Sequence, residues 1–399
     1  MPSSGSNFPR ALIVQLARLG DLLQSLPVLS SLRERFPEAS FDLLCPAPLV
    51  CLAEMFPGIQ EAISWNGEDW HVLAKGSNGD LNHTFPQVVE YFSRFPSTPY
   101  SVVYNLNNHP RSVLAAHLFS EQVVGAGNQG PLHMCLPPWV AYLRHVANER
   151  GSNRIHLADA LCGLCGMKPP AMAPTMQAIQ IELSSDLASI MHDSSLVRIG
   201  IVIGAGDVDR RVPLATWCRV IEACAAHIPN CVCVLIGGAG EREAALALED
   251  QLAPQYLSRL VNCVGRTTLP QLAHVFNRCQ WVIGSDTGPL HLAVACGVRT
   301  IGWYFSRARV HETGPYGVGH YVWQHLGHGH PDLWPVMETI QLILHHEPVD
   351  SCSSEWELWT SHRDEWGMFY SQNGKPDHAI VEREEIWERL SGMSLDHAV

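Results

Sequence analysis

The sequence lacks three features, and each absence excludes a broad class of protein. The net charge is -13, so the chain lacks the basic excess with which nucleic-acid-binding proteins neutralise phosphates. No run of about 18 apolar residues occurs, so we expect no membrane-spanning segment. Residues 1–10 contain no basic region followed by an apolar one, so we expect no secretory signal and a cytoplasmic location. A nucleic-acid partner is therefore not expected.

Motifs for cofactors and metals are also scarce. Neither half contains an intact Gly-x-Gly-x-x-Gly, which disfavours a dinucleotide cofactor. The 13 cysteines are odd in number and lie mostly in apolar runs, which indicates reduced, buried thiols. Cys162 and Cys165 form a single Cys-x-x-Cys without the second pair that a structural zinc site needs. His325, His328 and His330 could bind a metal, although their glycine-rich context is typical of a loop. We expect no bound metal and no cofactor.

The chain is long enough for two domains, and its apolar pattern indicates an α/β fold. At 399 residues it exceeds what one hydrophobic core usually serves. Short apolar strands alternate with helical spacing on both sides of a proline-rich stretch, residues 166–174. We predict two Rossmann-like, doubly wound domains facing a cleft. They would span residues 1–170, with an insertion at about 66–99, and residues 171–345, and be followed by a helical tail, 346–399, that packs back on the body.

Several elements can be placed from the pattern alone. The predicted strands are 11–16, 41–45, 101–106, 123–124, 197–203, 231–236, 281–283 and 300–305. The predicted helices are 22–36, 111–119, 156–165, 214–227, 241–252, 269–277 and 382–390.

The stretch from Gly284 to Gly297 has the pattern of a binding turn between a buried strand and a helix. Asp286, Thr287 and Gly288 occupy the strand-to-helix corner, where free N–H groups and the positive helix end favour an anion such as phosphate. The alternative is that Asp286 or Thr287 only caps the helix.

Motifs spread along the chain resemble glycosyltransferase family 9, the ADP-heptose:lipopolysaccharide heptosyltransferases. The first is Gly-Asp-Leu-Leu-Gln-Ser-Leu-Pro at the first strand-to-helix turn, and the last is Asp-Thr-Gly-Pro-Leu-His-Leu-Ala. Between them, stretches 104–111, 213–217, 235–243 and 264–272 follow the family's order and approximate spacing. The resemblance covers roughly residues 11–320.

The resemblance implies a GT-B type fold, in which the N-terminal half holds the acceptor and the C-terminal half holds the nucleotide-sugar donor. It assigns donor binding to Arg210, Glu241, Thr267, Asp286, Thr287, Gly288 and His291. It assigns the acceptor side to Arg18, Gly20, Asn105 and Arg111. Considered without the family, Arg210 is equally a solvated loop residue, Glu241 a first-turn helix carboxylate, and His291 a packed histidine. No metal is required, because helix ends and Arg210 can stabilise the departing diphosphate.

The resemblance also suggests Asp21 as the general base of an inverting displacement, with a structural helix cap as the alternative. A carboxylate at a helix start is expected to have a lowered pKa, which would weaken it as a base. Gln15, Ala17 and Val212 depart from residues common in the family, and the first two lie on the acceptor side.

The sequence therefore indicates a cytoplasmic, metal-independent glycosyltransferase. Its expected donor is ADP-heptose or a related nucleotide sugar, and its expected acceptor is lipopolysaccharide core or another surface glycan. A lipid-linked acceptor would bring the protein peripherally to the inner membrane. The alternatives are a different donor, a protein acceptor, or a catalytically silent nucleotide-sugar-binding protein.

Overall fold

The fold consists of two sheets, each formed in one half of the chain. The computed structural model describes residues 9–67, 86, 90, 93, 95, 100–127, 137–177, 179, 181–327, 329–350, 353–372 and 379–395. Most of the predicted insertion at 66–99 therefore lies outside the described residues. Mixed α/β structure with parallel sheets is confirmed.

The first sheet has five parallel strands in the order β3-β2-β1-β4-β5. The strands are β1 (Arg10–Val14), β2 (Ser40–Pro46), β3 (Ile59–Trp65), β4 (Val102–Asn105) and β5 (Val123–Gly125). Residues 11–14 of β1 are all buried, because helices cover both faces of a parallel sheet. The continuous apolar sequence of β1 is therefore explained by burial on both faces of the sheet.

Helices connect and cover these strands. They are α1 (Leu19–Leu23), α2 (Leu26–Arg35), α3 (Val50–Ala53), α4 (Pro110–Phe119), α5 (Pro138–Asn148) and α6 (Leu157–Leu164). The predicted helix at 22–36 is two helices, since α1 ends before Pro27, which occupies the first turn of α2. The break leaves α1 as a short helix at the carboxyl edge of the sheet.

The second sheet has eight strands in the order β13-β12-β11-β10-β9-β6-β7-β8. The strands are β6 (Val197–Val202), β7 (Cys231–Ile236), β8 (Leu260–Asn262), β9 (Trp281–Ser285), β10 (Arg299–Tyr304), β11 (Tyr321–His325), β12 (Trp356–Asp364) and β13 (Gly367–Gln372). Strands β6 to β11 pair in parallel, whereas β12 and β13 are antiparallel additions.

The helices of this half follow the same alternation with the strands. They are α7 (Ser185–His192), α8 (Leu214–His227), α9 (Arg242–Gln251), α10 (Leu269–Phe276), α11 (Gly288–Ala295), α12 (Val310–Thr313) and α13 (Val336–His345). The last helix is α14 (Ala379–Leu395).

The C-terminal tail corrects one prediction. It was expected to be helical, but residues 356–364 and 367–372 form β12 and β13 before α14 begins. The tail then packs on the first half, where the Trp387 and Trp139 ring centroids are 4.6 Å apart. Asp159 of α6 also accepts a hydrogen bond from the Met368 N–H at 2.7 Å.

The two halves are joined by a proline-rich linker and share one apolar core. The proline-rich stretch 166–174, which contains the predicted boundary at 170/171, has no helix or strand. One apolar cluster continues from the first half into the second, and includes Leu23, Leu26, Leu290 and Ala293. This shared core brings the carboxyl edges of the two sheets together.

Candidate active site

The turn from β9 into α11 forms the centre of the candidate site. Thr287 is the N-cap of α11, with extended backbone angles (φ -145°, ψ 157°), and its carbonyl accepts from the Leu290 and His291 N–H groups. The Leu290 N–H is therefore used within the turn. The N–H groups of Thr287 and Gly288 precede the first helical hydrogen bond, so this end of α11 suits an anion.

Asp286 connects two other predicted residues at this turn. The Arg210 Nη1 donates to the Asp286 carbonyl oxygen at 2.9 Å and lies 3.5 Å from its Oδ2. The His291 Nε2 is 3.1 Å from Asp286 Oδ1. Asp286 is 6% exposed and His291 8% exposed. The carboxylate of Asp286 therefore positions a cation and an imidazole at the helix start, whereas a direct contact with a phosphate would bring two negative charges together.

Glu241 lies beside this turn, at the carboxyl ends of β6 and β7. Its Oε2 accepts from the Gly238 N–H at 2.8 Å. A Cβ at Gly204 would lie 2.9 Å from Glu241 Cδ, so the glycine makes room for the carboxylate. Thr267 lies on the loop from β8 to α10, which the Gly265 N–H ties to the Gly237 carbonyl at 3.0 Å. These loops form one rim, as expected for the carboxyl ends of parallel strands.

Asp21 faces this rim from the first half. It is the third residue of α1, and its Oδ2 accepts from the Arg18 N–H at 3.1 Å in a capping arrangement. Burial raises the pKa of Asp21, although the Arg18 N–H and the nearby His291 lower it. The expectation of a lowered pKa is therefore wrong, because burial between the halves outweighs the helix start. Asp21 is a better proton acceptor than an exposed aspartate.

Close contacts bring the two predicted sites to one cleft. A Cβ at Gly20 would lie 3.3 Å from His291 Cδ2, and one at Gly288 would lie 2.9 Å from Leu19 Cγ. Helix α1 thus packs directly on the start of α11. The glycines permit this approach of the two backbones, which places Asp21 opposite the turn from β9 into α11.

The predicted acceptor side contains an open cavity of about 390 Å³. Its walls include Leu16, Ala17, Trp65, Asn107, His109 and Arg111. The exposed Arg111 lies at the start of α4, and Leu16 and Ala17 lead to Arg18 and then to helix α1, which contains Gly20 and Asp21. The cavity therefore opens beside the predicted base.

Asn105 does not line this cavity. It is 0% exposed, and its side chain donates to the Ala126 carbonyl oxygen and accepts from the Asn107 N–H. The prediction that Asn105 contacts the acceptor is wrong in this structure, because its amide supports the loops after β4 and β5.

Glu312 is a cleft residue that sequence reasoning missed. It is 8% exposed, and its Oε2 lies 3.4 Å from the Arg150 Nη1 of the other half. Burial raises the pKa of Glu312 to about 7; Arg150 opposes this shift, and Asp286 and Asp21 add to it. Its signal in the sequence was its place soon after β10, whose neighbour β9 carries the turn at Asp286.

The histidine cluster and the Cys-x-x-Cys pair considered as metal sites in the sequence lie in ordinary packing environments. His325 packs against Trp356 and His330 against Phe305, while His328 lies outside the described residues. Cys162 and Cys165 are buried thiols in the apolar core. Over the part of the chain that the structure describes, one group of three metal-ligating side chains converges: Cys224, Cys231 and Cys233.

None of the described helices is long and apolar enough to cross a bilayer.

The geometry defines a class of protein: two facing α/β domains of the GT-B type, as in glycosyltransferases. The family model of Glycosyltransferase family 9 (heptosyltransferase) matches residues 155–330, so this part of the chain is a glycosyltransferase family 9 domain. The predicted resemblance to this family and the predicted GT-B type fold are thereby confirmed. No curated protein matches the chain by sequence.

Solved structures share the fold at low sequence identity. A glycosyl transferase family 9 protein from Veillonella parvula is 20% identical with a TM-score of 0.60, covering 87% of this chain and 94% of its own. The E. coli heptosyltransferase WaaC with ADP is 17% identical with a TM-score of 0.61, covering 84% and 99%. The E. coli ADP-heptose lps heptosyltransferase II is 19% identical with a TM-score of 0.59, covering 84% and 98%.

Proposed function

We propose that the protein transfers a heptose, or a related sugar, from an ADP-sugar to a hydroxyl of lipopolysaccharide core or another surface glycan. One observation carries the proposal: the partly buried Asp21 faces the Arg210–Asp286–His291 cluster across a single cleft. The heptosyltransferase family match and the solved E. coli relatives support ADP-heptose as donor.

The donor binds on the second half. Its diphosphate lies at the start of α11, where the N–H groups of Thr287 and Gly288 and the guanidinium of Arg210 offset its charge. Glu241 accepts hydrogen bonds from the ribose hydroxyls, and the loop of Thr267 lines the base pocket. Charge grows on the diphosphate as the sugar leaves, so donors fixed in advance stabilise the transition state more than the ground state. No metal ion is required for this charge.

The reaction is a direct displacement with inversion. The acceptor hydroxyl oxygen forms a bond to the anomeric carbon on the face opposite the diphosphate. The bond from that carbon to the phosphate oxygen breaks, and its electron pair leaves with ADP. The hydroxyl proton passes to Asp21, whose raised pKa favours this step. Arg210 and the end of α11 hold the departing ADP.

The acceptor occupies the first half. Arg111 at the cavity rim and Arg18 beside Asp21 are cations suited to an anionic glycan, and Gly20 gives it access to the base. If the glycan is lipid-linked, the protein works peripherally at the cytoplasmic face of the inner membrane.

A donor screen followed by turnover tests the proposal. Thermal shift with ADP-, UDP- and GDP-sugars should show the largest stabilisation with ADP-heptose, because ligand bound to the native state raises the melting temperature. Mixing ADP-heptose with truncated core oligosaccharide should then release ADP and extend the glycan. Larger stabilisation by a UDP- or GDP-sugar would show that the proposed donor is wrong. Transfer of the sugar to a protein would show that the proposed acceptor is wrong. Tight ADP binding without turnover on any acceptor would instead support a silent binding protein.

A further inference from the structure

Three cysteines form a compact group far from the cleft rim. The Sγ atoms of Cys224, Cys231 and Cys233 all lie within 4.8 Å of one another, and the three side chains are buried. Cys231 is the first residue of β7, so the group lies at the amino end of this strand, whereas the candidate active site lies at the carboxyl end. The cluster is therefore separate from the site already described.

The local chain path brings the three thiols together. Cys224 lies in the last turn of α8, and the chain turns back at once, with Asn230 at φ 52° and the Cys231 N–H donating to the Ile228 carbonyl at 3.2 Å. Alternate residues of a strand point to the same face, so Cys231 and Cys233 share a face. That face packs on α8, because both residues belong to the same apolar cluster as Cys224.

We propose that Cys224, Cys231 and Cys233 bind one soft metal ion, Zn²⁺ or Cu⁺, in three-sulfur coordination. Thiolates select these ions over the hard cations that prefer oxygen ligands. A trigonal ion with metal–sulfur bonds of about 2.3 Å holds its sulfurs about 4.0 Å apart. The observed separations of up to 4.8 Å thus need only small side-chain shifts. The ion would pin the end of α8 to the start of β7.

A cationic side chain lies beside the group, since the Arg259 Nη1 is 3.5 Å from the Cys231 carbonyl oxygen. Binding releases the three thiol protons to solvent and requires no oxidant or reductant. Three thiolates around Zn²⁺ leave one negative charge, which the guanidinium of Arg259 would offset.

The first experiment uses the wild-type, full-length protein. Chelator-stripped, reduced protein is titrated with Zn²⁺, and separately with Cu⁺, against a competing chelator. One ion should bind per chain, and X-ray absorption should show three sulfur atoms at about 2.3 Å. Failure of both ions to bind, or a shell dominated by nitrogen and oxygen, overturns the proposal. The stronger of the two binders identifies the metal.

Variants then locate the binding. Cys233→Ser should weaken binding at least about 100-fold and abolish the metal-dependent rise in melting temperature. The double variant Cys162→Ser/Cys165→Ser changes two buried thiols elsewhere and should bind like the wild type. Equal binding by Cys233→Ser and the wild type would refute the assignment. If Cys233→Ser fails to fold, the absorption measurement on the wild type still decides, and neither readout depends on glycosyl transfer.

Discussion

The two rims of the cleft differ in how firmly their polar groups are held. On the second half, Arg210 and His291 are fixed by Asp286, and Glu241 is fixed by the Gly238 N–H. On the first half, Arg111 is exposed beside an open cavity of about 390 Å³. Fixed charges suit a group of constant shape such as a diphosphate, whereas an open rim suits acceptors that vary. The comparison predicts that substitutions on the second rim act on donor affinity, and those on the first on acceptor use.

The largest effect is expected for Asp21→Asn. Removing the base should lower turnover by about 10²- to 10⁴-fold, because general base catalysis contributes about that factor. ADP affinity, measured by calorimetry, should stay within a few-fold of the wild type, because Asp21 lies on the first half. Undiminished ADP release from the variant would remove Asp21 from the mechanism.

The next effect concerns the contact between the halves at Glu312. Its pKa in the folded protein, about 7, is above its ordinary value of 4.5, so folding favours the protonated form. This stabilisation is complete below pH 4.5 and is lost as the pH rises through 7. Relative to Glu312→Gln, the wild type should therefore lose at most about 3 kcal/mol of unfolding free energy over that range.

Urea unfolding at several pH values measures this difference. The exposed Glu243→Gln on α9 serves as the control and should follow the wild type at each pH. A difference between the wild type and Glu312→Gln that grows as the pH falls would contradict the assigned direction.

Arg210→Ala should weaken ADP binding about 10- to 100-fold, because a hydrogen bond between charged groups contributes about 1.5–3 kcal/mol. Calorimetry with ADP measures the change without an acceptor. The adjacent Arg211→Ala is a matched control, since Arg211 is directed to the Ala205 carbonyl oxygen, at 3.5 Å, and ADP affinity should change less than about twofold. Equal losses of ADP affinity in both variants would show that Arg210 makes no specific contact with the diphosphate.

The smallest effect is expected for Arg111→Ala. An exposed cation contributes up to about 1 kcal/mol, so the acceptor KM should rise about two- to five-fold while ADP affinity is unchanged. Arg219→Ala, an exposed residue of α8, should leave both values as in the wild type. A change in ADP affinity with an unchanged acceptor KM would reverse the assignment of the two rims.

Helices and strands with a regular apolar pattern could be predicted from the sequence, whereas strands at the edge of the second sheet could not. Helix α8 and strand β7 have the bounds that the pattern predicted, because their apolar residues follow one period throughout. Strands β12 and β13 were missed because they extend the sheet at its edge: β12 mixes tryptophans with charged and polar residues, and β13 is a short strand with no clear alternation.

Site residues divide in the same way. The strand-to-helix turn at Asp286 was visible in local spacing. The raised pKa of Asp21 and the burial of Asn105 were not, because both depend on segments distant in the sequence. The local sequence determines which side chains lie at a turn, whereas the packing of distant segments determines their burial and their pKa values.

The packing of α14 on the first half bears on how the two halves are joined. One chain connection lies near residue 170, and α14, which follows strand β13 of the second sheet, returns to the first half, where Trp387 contacts Trp139. The halves are therefore connected at two places, and the second connection limits how far they can separate.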